Sequence, residues 1–234
     1  MNIEIDPKLL LRNILLLIGV LLLANLSGIF IKYFLGYDYI FGIIPLFNFD
    51  TEMNIPTLYS SVALLVSSFF LAVIAITHKK NGEAFIAWFG LAAIFIFLAI
   101  DEISSIHEHL IEPVRASLNT SGLLYYAWVI PYGCALLAFL ALYFKFILNL
   151  NKDIRILFIA SGSIYVIGAI GFELIGGLQA DLHGSANLTY ALITTTEELL
   201  EMLGIALFIY SLNKYISQNL NGITFSIPKD SSST

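Results

Sequence analysis

Residues 58–77 read LYSSVALLVSSFFLAVIAIT, twenty positions without one charged side chain. At ~1.5 Å per residue, a helix of that length reaches across the ~30 Å hydrocarbon core of a bilayer. The following run, Ala84 to Ile100, is equally free of charge and then breaks on Asp101 and Glu102. Four further stretches are long, apolar and sparsely charged: Ile14 to Phe34, Leu124 to Leu148, Ile156 to Leu178, and Tyr190 to Leu212. The pattern predicts an all-α integral membrane protein, a six-transmembrane-helix bundle forming a single domain over residues 1–221. The third span is expected to continue as helix through Asp101 to Leu110 and to end near Pro113. Residues 222–234 are polar and are expected to form a flexible C-terminal tail.

Composition agrees. Of 234 residues, 59% are hydrophobic and 12% charged, against roughly 45–50% and about 25% in soluble domains. Too little polar surface remains for an ordinary cytosolic globule, and the apolar content excludes a disordered chain. Eleven Lys and Arg against 17 Asp and Glu leave a net charge of −6, which argues against a nucleic-acid partner. The single cysteine, Cys134, allows no internal disulfide and no thiolate metal cage.

Basic residues set the orientation. With the N-terminus cytoplasmic, Lys8, Arg12, Lys79, Lys80, Lys145, Lys152, Arg155, Lys214 and Lys229 all fall inside, and only Lys32 and Arg115 fall outside. Both termini are therefore expected to be cytoplasmic, the bilayer being a bacterial inner membrane, with the first run as an uncleaved signal-anchor. Tyr125, Tyr126 and Trp128 are expected at the outer interface and Trp88 near the inner one. The longest connection, Lys32 to Pro56, carries an apolar-aromatic stretch, Tyr39 to Phe47, able to lie in the interface or dip back as a re-entrant segment.

An ionisable group at mid-membrane costs roughly 2.5–3.5 kcal/mol on insertion scales, so each one in a span needs a partner or water. Here they cluster. The third span ends in Asp101-Glu102-Ile-Ser-Ser-Ile-His107-Glu108-His109, the fifth carries Glu173, and the sixth carries Glu197, Glu198 and Glu201. Counted at the helical rise from the cytoplasmic boundaries, Asp101 and Glu173 lie ~27 Å up, Glu197 ~26 Å and Glu201 ~20 Å. Three spans thus bring acids to one level in the outer third of the bilayer. On a regular helix, however, His107 lies on a different side from Asp101 and needs a bend, or a different neighbour, to join it.

Adjacent carboxylates in a low-dielectric pocket require protons or a cation. Arg115 is the only basic side chain close in sequence, so a divalent metal is the simplest counter-charge. Carboxylate oxygens with one or two imidazoles suit Fe, Mn or Zn, as one ion or two. The expected ligands are Glu102, His107, Glu108, Glu173, Glu197 and Glu201, with Asp101 or Glu198 as base or ligand orienter. Such a centre would activate water or oxygen toward a lipid-soluble substrate. The same acids would also serve a proton- or divalent-cation-coupled transporter, or stabilise a non-catalytic sensor or complex subunit. The oligomeric state is not encoded in any pattern here.

Known membrane-hydrolase signatures are absent. The chain has no His-x-x-x-His, as in the alkaline ceramidase and adiponectin-receptor group, although Glu102 to His107 loosely resembles that group's early Ser/His helix. Glu197-Glu198 follows every histidine, unlike the order in CAAX-type proteases, and no rhomboid-like Gly-x-Ser-x-Gly occurs. The paired Glu-x-x-His of four-helix dimetal proteins is missing as well.

Overall fold

The computed structural model describes residues 6–220; the expected tail, 222–234, lies outside the described residues. Asp6 accepts the Lys8 amide and Pro7 takes the first helical position, so α1 starts there and runs Pro7–Phe30, extended by a π-helical turn Ile31–Leu35. The re-entrant stretch folds into a short helix, α2 (Ile43–Phe47). Asn54 caps α3 (Ile55–Lys80), which is followed by α4 (Ile86–Ser104) and the short α5 (Ile111–Leu118). Next come α6 (Val129–Asn149), α7 (Lys152–Val166), a π-helical segment Ile167–Phe172, α8 (Glu173–His183) and α9 (Leu188–Asn219). No strand occurs among the described residues.

Five helical stretches are long and apolar enough to cross a membrane: Pro7–Leu35, Ile55–Lys80, Ile86–Ser104, Val129–Asn149 and Lys152–His183. The sixth expected span falls within α9, whose four threonines and three glutamates dilute its apolar character. This helix is the axis of the bundle. Sixteen of its residues are buried, and it packs against α1, α3 and the α7–π segment.

Two apolar clusters surround that axis. Leu71 and Ile74 of α3, Ala92 of α4, Ile154 of α7 and Leu212 of α9 form one; Ile18 and Leu21 of α1 with Met202 and Ala206 of α9 form the other. Because lipid competes for apolar surface, close contact needs small residues and hydrogen bonds as well. Ser61 and Ser68 of α3 supply them, donating to the Ala99 and Ala92 carbonyls of α4 at 2.8 Å each. Trp88, expected at an interface, is 3% exposed. It sits in an aromatic cluster with His78, Phe146, Phe158 and Tyr215, so its ring faces neighbouring helices and not the protein's surface.

Glycines set the closest helix approach. A Cβ on Gly204 of α9 would stand 2.8 Å from the Tyr165 amide nitrogen and 2.9 Å from its Cα. A Cβ on Gly168, in the π segment, would stand 2.8 Å from the Glu197 carbonyl oxygen. Both obstacles are backbone, which cannot swing aside. Gly204→Ala is therefore expected to destabilise the protein by about 1–3 kcal/mol, read as a lowered thermal midpoint in detergent. Gly133→Ala on α6, where a Cβ meets nothing within 4 Å, is the matched control and should leave the midpoint unchanged or raised.

Candidate functional site

The third apolar segment does not run on as helix to Leu110. It stops at Ser104, because Ser105 adopts a left-handed backbone, φ 49° and ψ 41°. This is the bend that regular helical geometry lacked. It returns His107 toward Asp101, whose Oδ1 accepts the His107 backbone N–H at 2.9 Å and lies 3.3 Å from Nδ1 of the ring. Asp101 is buried, 5% exposed. Nor does Pro113 end a helix: it occupies the first turn of α5, where a missing N–H leaves no intrahelical bond unmade.

Trp128 completes the setting of His107. Its ring packs on the imidazole at 4.8 Å between centroids, and Tyr132 stands edge-on to both. The Trp128 indole N–H donates to Glu173 Oε1 at 2.5 Å. An aromatic side chain expected to face headgroups thus joins two candidate site residues. Glu173 opens α8 directly after the π-helical segment, and such bulges recur at functional sites because they re-aim the side chains that follow.

The loop between α1 and α3 brings in residues that sequence reasoning missed. Asn25, buried in the last third of α1, accepts the Phe49 amide at 3.0 Å and donates to Thr195 Oγ1 of α9 at 2.9 Å. A Gly28 contact with Ile44 seats α2 against α1. The loop is thereby pinned with Asp50 and Glu52 facing the bundle. Ligand atoms of Glu52, His107 and Glu108 all lie within 4.8 Å of one another, a spacing that one metal ion can bridge. The signal for Glu52 was a second acid two residues after Asp50, just beyond the apolar-aromatic stretch, but nothing in the spacing told which side chains they would meet.

Burial pushes the Glu52 carboxyl up, and the Glu108 charge adds to this, outweighing His107 and the Thr57 hydroxyl. Burial alone would push the His107 imidazole down. The hydrogen bond and charge of Asp101 reverse that, with help from Glu108 and Glu201, and hold it above the ordinary histidine value.

These groups form one end of a cavity of about 980 Å³ between α4, α6, α7, α8 and α9. Every acid singled out in the sequence lines it: Asp101, Glu102, Glu108, Glu173, Glu197, Glu198 and Glu201. Glu102, Glu198 and Glu201 are charge neighbours, and Glu173 is beside Glu197. Glu197 is 9% exposed, and its Oε2 has no hydrogen-bond partner. No Lys or Arg lines the cavity. Arg115, the one basic residue close in sequence, is engaged elsewhere: it bonds Glu112 at 2.8 Å and the Tyr125 carbonyl at 2.6 and 2.9 Å, over the Tyr125 ring. His109 turns back onto the Ser105 carbonyl and His183 ends α8, both exposed and outside the cavity lining.

The model of DUF8692, a domain of unknown function, matches residues 14–214. The chain belongs to that family. The match takes in every carboxylate of the cavity, Glu52 included. No curated protein and no solved structure matches the chain.

If Asp101 holds the imidazolium, the His107 ring observed by NMR in metal-free protein should titrate above the ordinary value of about 6.5, and Asp101→Asn should lower it. A raised folded value means that the pair's contribution to stability is complete below about pH 6.5 and is lost as pH rises through that folded value. An unchanged titration in Asp101→Asn would remove Asp101 from this role.

Proposed function

We propose that the chain is a metal-dependent membrane enzyme acting on a lipid-soluble substrate. In this reading it spans a bacterial inner membrane six times, both termini are cytoplasmic, and the acids occupy the outer third of the bilayer. One observation carries the proposal. A wall of carboxylates and one imidazole passes without interruption into an apolar chamber inside a single cavity. That is the polarity a site needs to bind an apolar molecule and present one polar atom to a cation.

The donor set fits a divalent ion. Glu52, His107 and Glu108 offer two carboxylates and an imidazole at bridgeable spacing, a combination suited to Fe, Mn or Zn. The free Oε2 of Glu197 is the buried acceptor expected beside a second ion. Glu102, Glu173 and Glu201 extend the set toward that position. When bound, such an ion polarises a substrate oxygen or makes a coordinated water acidic.

The protein's own groups supply the rest. Asp101 holds the His107 ring through Nδ1 and so leaves the far nitrogen for a ligand, the carboxylate–histidine arrangement of many metal sites. Trp128 fixes Glu173. Glu198, among its charge neighbours Glu102 and Glu201, is placed to take a proton from the reacting group. The chamber's apolar wall excludes bulk water and strengthens each of these interactions.

Cation transport would need polar groups continuing away from the acids. The cavity there is lined mainly by Phe95, Phe139, Phe146, Phe158 and Phe208, with only the hydroxyls of Tyr143, Ser161 and Ser163 and no further charge, which supports an enzyme over a conduit. Elemental analysis of detergent-purified protein tests the reading. Wild type should hold Fe, Mn or Zn stoichiometrically, and folded Glu52→Gln/Glu108→Gln should lose at least one ion. Glu173→Gln/Glu201→Gln separates one ion from two, since only the second is expected to depend on it. Metal-free wild type from metal-replete medium would overturn the proposal.

A further inference from the structure

The apolar part of the cavity has a length, and that length specifies a ligand. On α6 the lining runs from Tyr132, beside the His107 ring, to Ile147. Fifteen residues at the helical rise make about 22 Å. On the opposite wall, Glu173 and Phe158 are also fifteen residues apart, giving about 22 Å by the same rise, slightly shortened by the π segment. The two walls agree independently. The lower end is closed by aromatic side chains: Phe146 and Phe158 each meet the Trp88 ring edge-on, at 4.9 and 6.1 Å.

The occupant is expected to be mainly apolar over that length, because Leu136, Phe139, Leu140, Phe146 and Ile147 line it from α6, and the Tyr143 and Ser161 hydroxyls nearby already donate to the Ala87 and Phe158 carbonyls. An aliphatic wall left unfilled forgoes its dispersion contacts. At the other end the charge is one-sided. Nine carboxyl side chains and one imidazole line the cavity, without Lys or Arg. Even two divalent ions would leave no surplus of positive charge to draw an anionic head.

We propose that the cavity binds an amphiphile lengthwise, its uncharged hydroxyl- or carbonyl-type head among the carboxylates and its hydrocarbon tail along α6 down to the aromatic floor. A chamber of about 22 Å takes an extended tail of about 16–18 carbons. The choice of head rests on the metal-enzyme reading; the tail does not.

Gly162 of α7 makes the length testable. It lines the cavity, yet a Cβ there meets nothing within 4 Å. A large side chain at this position projects into free space without displacing backbone. Gly162 is eleven residues from Glu173, so a plug there shortens the chamber to about 16 Å, room for about 12–13 carbons.

The experiment is equilibrium binding of radiolabelled octadecanol, decanol and octadecanoic acid to the full chain in amphipol, with metal content measured on the same samples. Wild type should bind octadecanol tightly and octadecanoic acid at least about tenfold more weakly. Gly162→Phe should weaken octadecanol at least about tenfold, since several buried methylenes are lost, and leave decanol and metal content unchanged. Gly133→Phe, on α6 but outside the lining, should match wild type. Equal octadecanol binding by wild type and Gly162→Phe would overturn the tail assignment, and tight octadecanoic acid binding would overturn the head. Chain-length-dependent binding by a metal-free wild type would sink the enzyme reading and leave the tail channel standing. Stoichiometric metal without octadecanol binding would do the reverse.

Discussion

Two glycines decide how closely the fifth and sixth apolar segments approach, and the acidic chamber exists because they approach that far. Gly204 meets the backbone of Tyr165, and Gly168 meets the carbonyl of Glu197. Both contacts lie within a few residues of the buried carboxylates. Lipid offers no solvophobic force to drive helices together, so backbone-to-backbone packing across small residues is a main means of bringing them into contact. The π-helical segment begins at that crossing and ends at Glu173. Packing and chemistry therefore share one stretch of chain.

Around this crossing, single polar side chains hold irregular backbone in place. Asp101 ties down the left-handed turn after α4, and Asn25 ties the α1–α3 loop to α9. Both are buried; Asp101 acts within its own turn, and Asn25 joins distant parts of the chain. Backbone outside regular helix needs its hydrogen bonds supplied within the protein when water is scarce. In supplying them, these residues also position His107 and Glu52. The carboxylates further in lack a basic partner among the cavity-lining residues, an imbalance that bound protons or a cation would relieve.

Much of the fold was legible because hydropathy reports directly on length and burial. All six expected spans coincide with helices, five of them apolar enough to cross a membrane. The convergence of acids was legible from depth alone, since the helical rise converts residue number into height. What remained hidden depends on contacts between distant segments. Trp88 and Trp128 read as interface anchors because composition does not distinguish an aromatic facing lipid from one facing a neighbour. Arg115 was the only basic residue close in sequence, and the structure shows it engaged by Tyr125 and Glu112. Glu52 went unnoticed because the loop's path is set by Asn25, a residue with no periodic signature. The bend at Ser105 was foreseen only as a requirement.

Anomalous diffraction at the Mn, Fe and Zn edges, from crystals grown with the protein's co-purifying metal, tests the central claim most directly. The account predicts a peak about 2.0–2.2 Å from a ring nitrogen of His107, coordinated by oxygens of Glu52 and Glu108. A metal bound only outside the cavity, or a cavity without anomalous density in crystals saturated with all three ions, would contradict it.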